Sequence, residues 1–161
     1  MTALALAASC AVGRNRLEET PPSPEAILES PDLPKLRARS GSTDIPVVRG
    51  SLCWSKGGAG VCADAIAPPE LAKTVAPAEL PPGAAIMLEH APPPLADSLL
   101  VNRWIDGRPV RVVLQAGSGP GNRGLTPSFV VPDEPGTYVY DAFARWPQGD
   151  VSWAFHVMVK K

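Results

Sequence analysis

Cys53 and Cys62 are the side chains in this 161-residue sequence whose spacing speaks most directly of chemistry. If Trp54 opposes Val61 and Ser55 opposes Gly60 across a hairpin, the two cysteines also oppose each other, and a disulfide closes on one face. Their C-x8-C spacing matches neither the close ligand spacing of zinc sites nor the C-x-x-C of redox motifs. A bridge over so short a loop stabilises by ~2–3 kcal/mol on the chain-entropy model. His156 and Met158 stand two apart on a candidate strand and point the same way. With His90 and Met87 they form the candidate metal set, because imidazole and thioether suit soft copper(I). Ser118, in a glycine-rich loop, is the candidate nucleophile of a hydrolase reading with His90 or His156 as base, but no G-x-S-x-G frame surrounds it. Gly117, Gly119 and Gly121 offer the same loop as a phosphate cradle, yet no lysine follows and no helix opens after it. Glu70, Glu79 and Glu89 could serve as acid and base toward a sugar, and their isolation reads instead as solvation. Among Trp54, Trp104, Trp146 and Trp153 core placement is the default; Trp54 with Arg49 and Asp64 is the candidate binding surface.

The elements that would position these groups are short. From Ile45 onward, β-branched and aromatic runs alternate with Gly, Pro, Asn and Asp, the spacing of an all-β sandwich of about eight strands. Expected strands are 46–55 and 60–65, joined through Lys56-Gly57-Gly58-Ala59, then 84–89, 98–105, 108–114, one beginning at Phe129, 137–146 and 151–159. Asp106-Gly107 predicts a tight hairpin turn, since both residues tolerate positive φ. Pro68 to Lys73 predicts one helical turn. Period-2 alternation puts Tyr138, Tyr140, Ala142, Ala144 and Trp146 on one core-facing row and Trp153, Phe155, Val157 and Val159 on its neighbour. Asp141, Arg145, Ser152 and His156 fall on the opposite, solvated face. On the first hairpin Leu52, Trp54, Val61 and Ala63 share one face. Cys53 and Cys62 share the other with Arg49, Ser51, Ser55 and Asp64, so the staple is expected to face outward.

Composition bounds the rest. A net charge of −1, from 15 basic and 16 acidic residues of interspersed sign, provides no field for a polyanion and excludes nucleic acid as a partner. Twenty prolines, against a usual share of about 5%, oppose long helices. Pro21, Pro22, Pro24, Pro31 and Pro34 interrupt a polar stretch, so residues 11–42 read as a disordered tether ahead of a domain at 43–161. Glu25 to Glu29 reads as no more than a transient helical turn. Residues 1–10 end in Leu6-Ala7-Ala8-Ser9-Cys10, which resembles the lipobox of bacterial lipoproteins, whose cysteine is acylated. A start upstream of Met1 would supply the basic segment that such signals carry. The resemblance implies an extracytoplasmic protein anchored to the membrane by lipid at Cys10, where a disulfide persists.

Pro135-Gly136-Thr137-Tyr138-Val139-Tyr140 resembles the entry to the penultimate strand of immunoglobulin and fibronectin type III sandwiches. The resemblance implies an Ig-like sandwich with Tyr138 as corner tyrosine, Tyr140 in the place of a core cysteine and Trp104 as the core tryptophan. Arg49 to Trp54, Gly60 to Asp64 and the segments around Tyr138–Trp146 and Gly149–Phe155 are similar to an uncharacterised family of predicted bacterial lipoproteins, which brings no activity with it. The leading expectation is a non-catalytic, lipid-tethered module without cofactor. It would bind a protein, envelope polymer or small ligand through its hairpin loops. The alternatives are a periplasmic-type copper(I)-binding protein, its H-x-M pair resembling the ligands of copper carriers, and a cryptic serine hydrolase.

Overall fold

The two alternating rows around Tyr140 and Phe155 set the architecture, because each must bury one face against a second layer. The computed structural model describes residues 20–117 and 126–161. In chain order these form α1 (Pro24–Leu28), β1 (Lys35–Ser40), β2 (Thr43–Ile45), β3 (Val48–Lys56), β4 (Ala59–Ala63), α2 (Pro68–Ala72), β5 (Ala78–Leu80), β6 (Ala85–Ala91), β7 (Leu100–Ile105) and β8 (Arg108–Arg111). β9 (Gln115–Gly117), β10 (Thr126–Val130), β11 (Gly136–Trp146) and β12 (Gly149–Val159) complete the set. One sheet runs β2-β1-β6-β10-β9. The other runs β4-β3-β12-β11-β7-β8, with β5 laid parallel beside the far half of β12. The fold is an all-β sandwich, otherwise antiparallel throughout the described residues.

Its core lies between the sheets. Phe129 of one sheet meets Tyr140 of the other at 4.9 Å between ring centres, and Tyr140 stacks on Phe155 at 5.5 Å. Ile86, Leu88, Val101, Val151 and Val157 close around them, all but inaccessible to solvent. The Tyr140 hydroxyl is buried without a partner, and burial pushes its pKa up to about 12. Tyr138 forms the expected corner: its hydroxyl donates to the Glu134 carbonyl at 2.8 Å.

The disulfide forms as the sequence predicts. Cys53 opposes Cys62, Trp54 opposes Val61 and Ser55 opposes Gly60, and both cysteines are exposed. Gly57 and Gly58, at φ 57° and 78°, make the reversal that this register requires. Asp106 and Gly107, at φ 48° and 74°, do the same for β7 and β8.

Several expectations are corrected. The tether does not extend to residue 42, and the sandwich does not begin at 43. Ser23 caps α1 through its side-chain oxygen, Pro24 sits at the helix start where a missing N–H costs nothing, and Ile27 is fully buried. Leu33 and Ala38 are also in the core, and β1 pairs along β6. Of the prolines that argued against order, Pro24 starts the helix, Pro31 sits in the turn after it and Pro34 is buried just ahead of β1. Residues 11–19 and Cys10 lie outside the described residues. Twelve strands, not eight, are present among the described residues, the additions including β1, β2, β5 and β9. The strand expected to begin at Phe129 instead begins at Thr126 and ends at Val130.

The outer face of the larger sheet is not uniformly solvated either. α2 packs across β11 and β12, so Asp141 and His156 are each only 8% exposed. Trp104 is on this outer face and not in the core: it opposes Val139 and Pro109, and its indole N–H bonds Asp141. Trp54 is 4% exposed and meets Trp146 edge-on at 6.0 Å, so it is core rather than binding surface. A register shift opposite Ser152 turns β3, and Arg49 then pairs with inward-facing Trp153 and reaches the Leu28 carbonyl at 3.4 Å. Arg49 therefore does not share the face of Cys53, and with Trp54 buried and Asp64 exposed just past the end of β4 the three form no single patch.

Candidate functional site

A concavity lies where the described ladder between β6 and β10 ends. β6 pairs with β10 from Ala85 to Met87, opposite Val130 to Ser128, and the next pair in register would be Leu88 with Pro127. Pro127 has no N–H to give the Leu88 carbonyl, and β10 pairs with β9 along its other side. β6 nevertheless continues to Ala91, bonded on its other side to β1. The resulting cleft, of about 890 Å³, is roofed by residues 92–99. That roof is tied to the end of β11: the Trp146 indole donates to the Pro92 carbonyl at 3.1 Å, and the Leu95 amide donates to the Arg145 carbonyl at 2.8 Å. Leu88, Leu99, Leu114, Pro93 and Pro94 make the apolar walls. Glu89, His90, Asp97 and Gln115 supply polar groups, and among the described residues no lysine or arginine lines the cleft.

His90 is the innermost of these. Its ring lies 5.3 Å from that of Trp153 and 6.0 Å from that of Trp146, and its Nε2 is buried with no hydrogen-bond partner. Burial pushes its pKa down to about 4, so the imidazole is neutral at pH 7. The sign for stability follows from proton binding. The unfolded chain takes up the proton near pH 6.5 while the folded chain resists it to about pH 4, so this contribution is complete above pH 6.5 and lost as pH falls toward 4. Denaturant unfolding at pH 7 and 4.5 should lose about 2 kcal/mol more in the wild type than in His90→Phe. Equal losses in the two proteins would contradict this environment for His90.

The four candidate copper ligands are not brought together. His90 faces the core from β6, while Met87, three residues away, faces the opposite side of that strand. His156 and Met158 share the outer face of the other sheet, and His156 Nε2 donates to the Val75 carbonyl at 2.8 Å. No group of three or more His, Cys, Asp or Glu among the described residues is arranged to hold a metal ion. Ser118 lies outside the described residues. Glu70 pairs with Lys73 at 2.7 Å, Glu79 pairs with Lys160, and Glu89 is at the cleft, so the three glutamates form no acid-base pair.

A polar cluster that sequence reasoning missed lies on the outer face of the larger sheet. Asp141 accepts from Trp104 Nε1 at 2.5 Å and from Asn102 Nδ2 at 3.0 Å. Burial raises its pKa, and those two bonds and nearby Arg111 oppose the rise. Both carboxylate oxygens are engaged, which makes the cluster a pin between β7 and β11. Strand parity placed Asp141 outward, but nothing local announced that α2 would cover it.

No protein-family model, curated protein or solved structure matches the chain.

Proposed function

We propose that the chain is a non-catalytic binding module, held at the extracytoplasmic side of a membrane by lipid on Cys10, which takes its ligand in the cleft beside His90. The cleft carries this reading. Its volume of about 890 Å³ falls within the roughly 300–1,000 Å³ of ligand sites, and it combines apolar walls with a few polar groups, as such sites do. The compartment is supported by the Cys53–Cys62 bridge, which faces solvent, where reducing thiols would reach it, and so suits oxidising surroundings.

The test is a screen by backbone-amide NMR with cationic, neutral and anionic fragments, short peptides and oligosaccharides. Saturable shifts should cluster from Leu88 to Leu99 and at Gln115. Shifts scattered over the sandwich, or none, would reject the cleft as a binding site. Expressed in a bacterial envelope, the wild type should enter the detergent phase on partitioning and Cys10→Ala should stay aqueous; equal partitioning would remove the anchor from the proposal.

A further inference from the structure

We infer that the outer edge of β8 is a second interaction surface, apart from the cleft, whose partner is an extended peptide with acidic side chains added as a strand to the larger sheet. None of residues 108–113 lines the cleft. The Val112 amide donates to the Val101 carbonyl at 2.9 Å, and bonded pairs alternate along an antiparallel ladder, so Val110 and Arg108 also bond β7. Pro109 and Arg111, the residues between, therefore turn their backbone groups outward. Pro109 suits that place, since it has no N–H and an edge position requires none. The outward side thus presents the Pro109 carbonyl and both the N–H and the carbonyl of Arg111. Every residue of β8 is exposed. Residues 118–125, outside the described part of the chain, join it at Gly117 and Thr126 of the smaller sheet, whereas β8 belongs to the larger one.

Two observations say what fits this edge. Of six large hydrophobic side chains exposed among the described residues, three stand here: Ile105 at 38%, Val110 at 46% and Val113 at 83%. Apolar side chains gathered on a strand edge favour a further strand that carries apolar side chains of its own. Charge supplies the other observation. Residues 100–113 carry Arg103, Arg108 and Arg111 against one acidic residue, Asp106 in the turn. Asp141, near Arg111, is almost buried and already accepts from Trp104 and Asn102. Arg111 lies opposite Asn102 on the outer face and Arg108 opposite Ile105 on the inner one, so the edge is basic on both faces. An incoming antiparallel strand exchanges both bonds with Arg111 and donates to the Pro109 carbonyl, and its residues opposite Arg111 and Arg108 are placed to carry carboxylates. Arginine and proline on an edge deter a second copy, because two β8 strands meeting about a two-fold bring their own arginines together. Toward an acidic strand the same arginines attract.

The experiment is residue-resolved hydrogen exchange on the full chain with the peptide acetyl-Thr-Val-Glu-Val-Thr-Glu-amide, whose glutamates fall opposite Arg111 and Arg108. In the free protein the Arg111 amide should exchange far faster than that of Val112. With peptide bound it should slow by roughly tenfold or more. The fully N-methylated peptide should give no protection, and the analogue with lysine for glutamate should bind roughly tenfold more weakly. The double variant Arg108→Glu/Arg111→Glu, both exposed positions, should reverse that preference. An Arg111 amide already as protected as Val112, or equal binding of the N-methylated or lysine peptide, would overturn the proposal. Protection of Arg111 that rises with protein concentration alone would assign the edge to a second copy and overturn the acidic partner. Protection confined to Leu88–Leu99 and Gln115 would place the peptide in the cleft and overturn the β8 edge while leaving the cleft a binding site. No protection from any peptide up to about 1 mM would overturn it as well.

Discussion

Gly149→Ala should cost about 4 kcal/mol or more, roughly 10 °C or more in Tm for a domain of this size. Gly149 opens β12 opposite Trp54 with φ at +154°, and a β-carbon there would stand 1.9 Å from the Cys53 carbonyl oxygen and 3.1 Å from the Trp54 Cα. These are backbone atoms of a strand fixed on its other side by the disulfide pairing, so no rotamer change relieves the clash. The Ser55 amide, bonded to the Gln148 carbonyl at 2.9 Å, holds the two segments together at this point. Gly58→Ala is the control. Its φ is +78° but nothing lies within 4 Å, so only the left-handed conformation penalises it, by about 1–2 kcal/mol. Thermal unfolding of the two variants separates close approach from conformational preference; equal losses would exclude the close approach.

Ile27→Ala should destabilise by about 2–4 kcal/mol, read from urea unfolding. Ile27 is completely buried although it belongs to a helix of five residues, too short to be stable alone. The helix therefore exists because this side chain plugs the sandwich: α1 contacts β3 and β4, and Lys56 reaches back to Asp32 at 2.6 Å and to Ser30 at 3.0 Å. That exposed ion pair adds little beside the buried isoleucine. Were residues 24–28 a tether, the substitution would change stability by no more than about 0.5 kcal/mol. An effect that small would detach α1 from the fold.

The contrast between these segments explains which parts of the molecule were legible. The turns of the disulfide hairpin and of the β7–β8 hairpin were readable because turn chemistry at Gly57-Gly58 and Asp106-Gly107 fixes register locally, although the strands' outer ends were not: β8 stops at Arg111 and β4 at Ala63. The core rows of β11 and β12 were readable because eleven-residue strands leave the alternation unbroken. Arg49 was misplaced because a bulge inverts parity, and the bulge arises from packing with Ser152, 101 residues away from its Ser51 partner. Trp104 was assigned to the core by aromatic character, when its indole N–H required the acceptor that Asp141 offers outside. The N-terminal region was misread because proline content was weighed without position. The cleft itself had one sign in the sequence, Pro127 within an otherwise strand-like Thr-Pro-Ser-Phe-Val, but its meaning depended on which strand would be denied a donor.

The place of β12 in the larger sheet bears on how the chain reaches this fold. β12 follows every other described strand in sequence, yet it bonds β3, β5 and β11 at once. During vectorial synthesis or translocation the seven-stranded sheet thus has no middle until its final strand emerges. β3 waits with an open edge and exposed Leu52 and Trp54, and only the hairpins β3–β4 and β7–β8, both closed by local turns, can form early. The larger sheet can therefore close only once β12 is available to join β3 to β11.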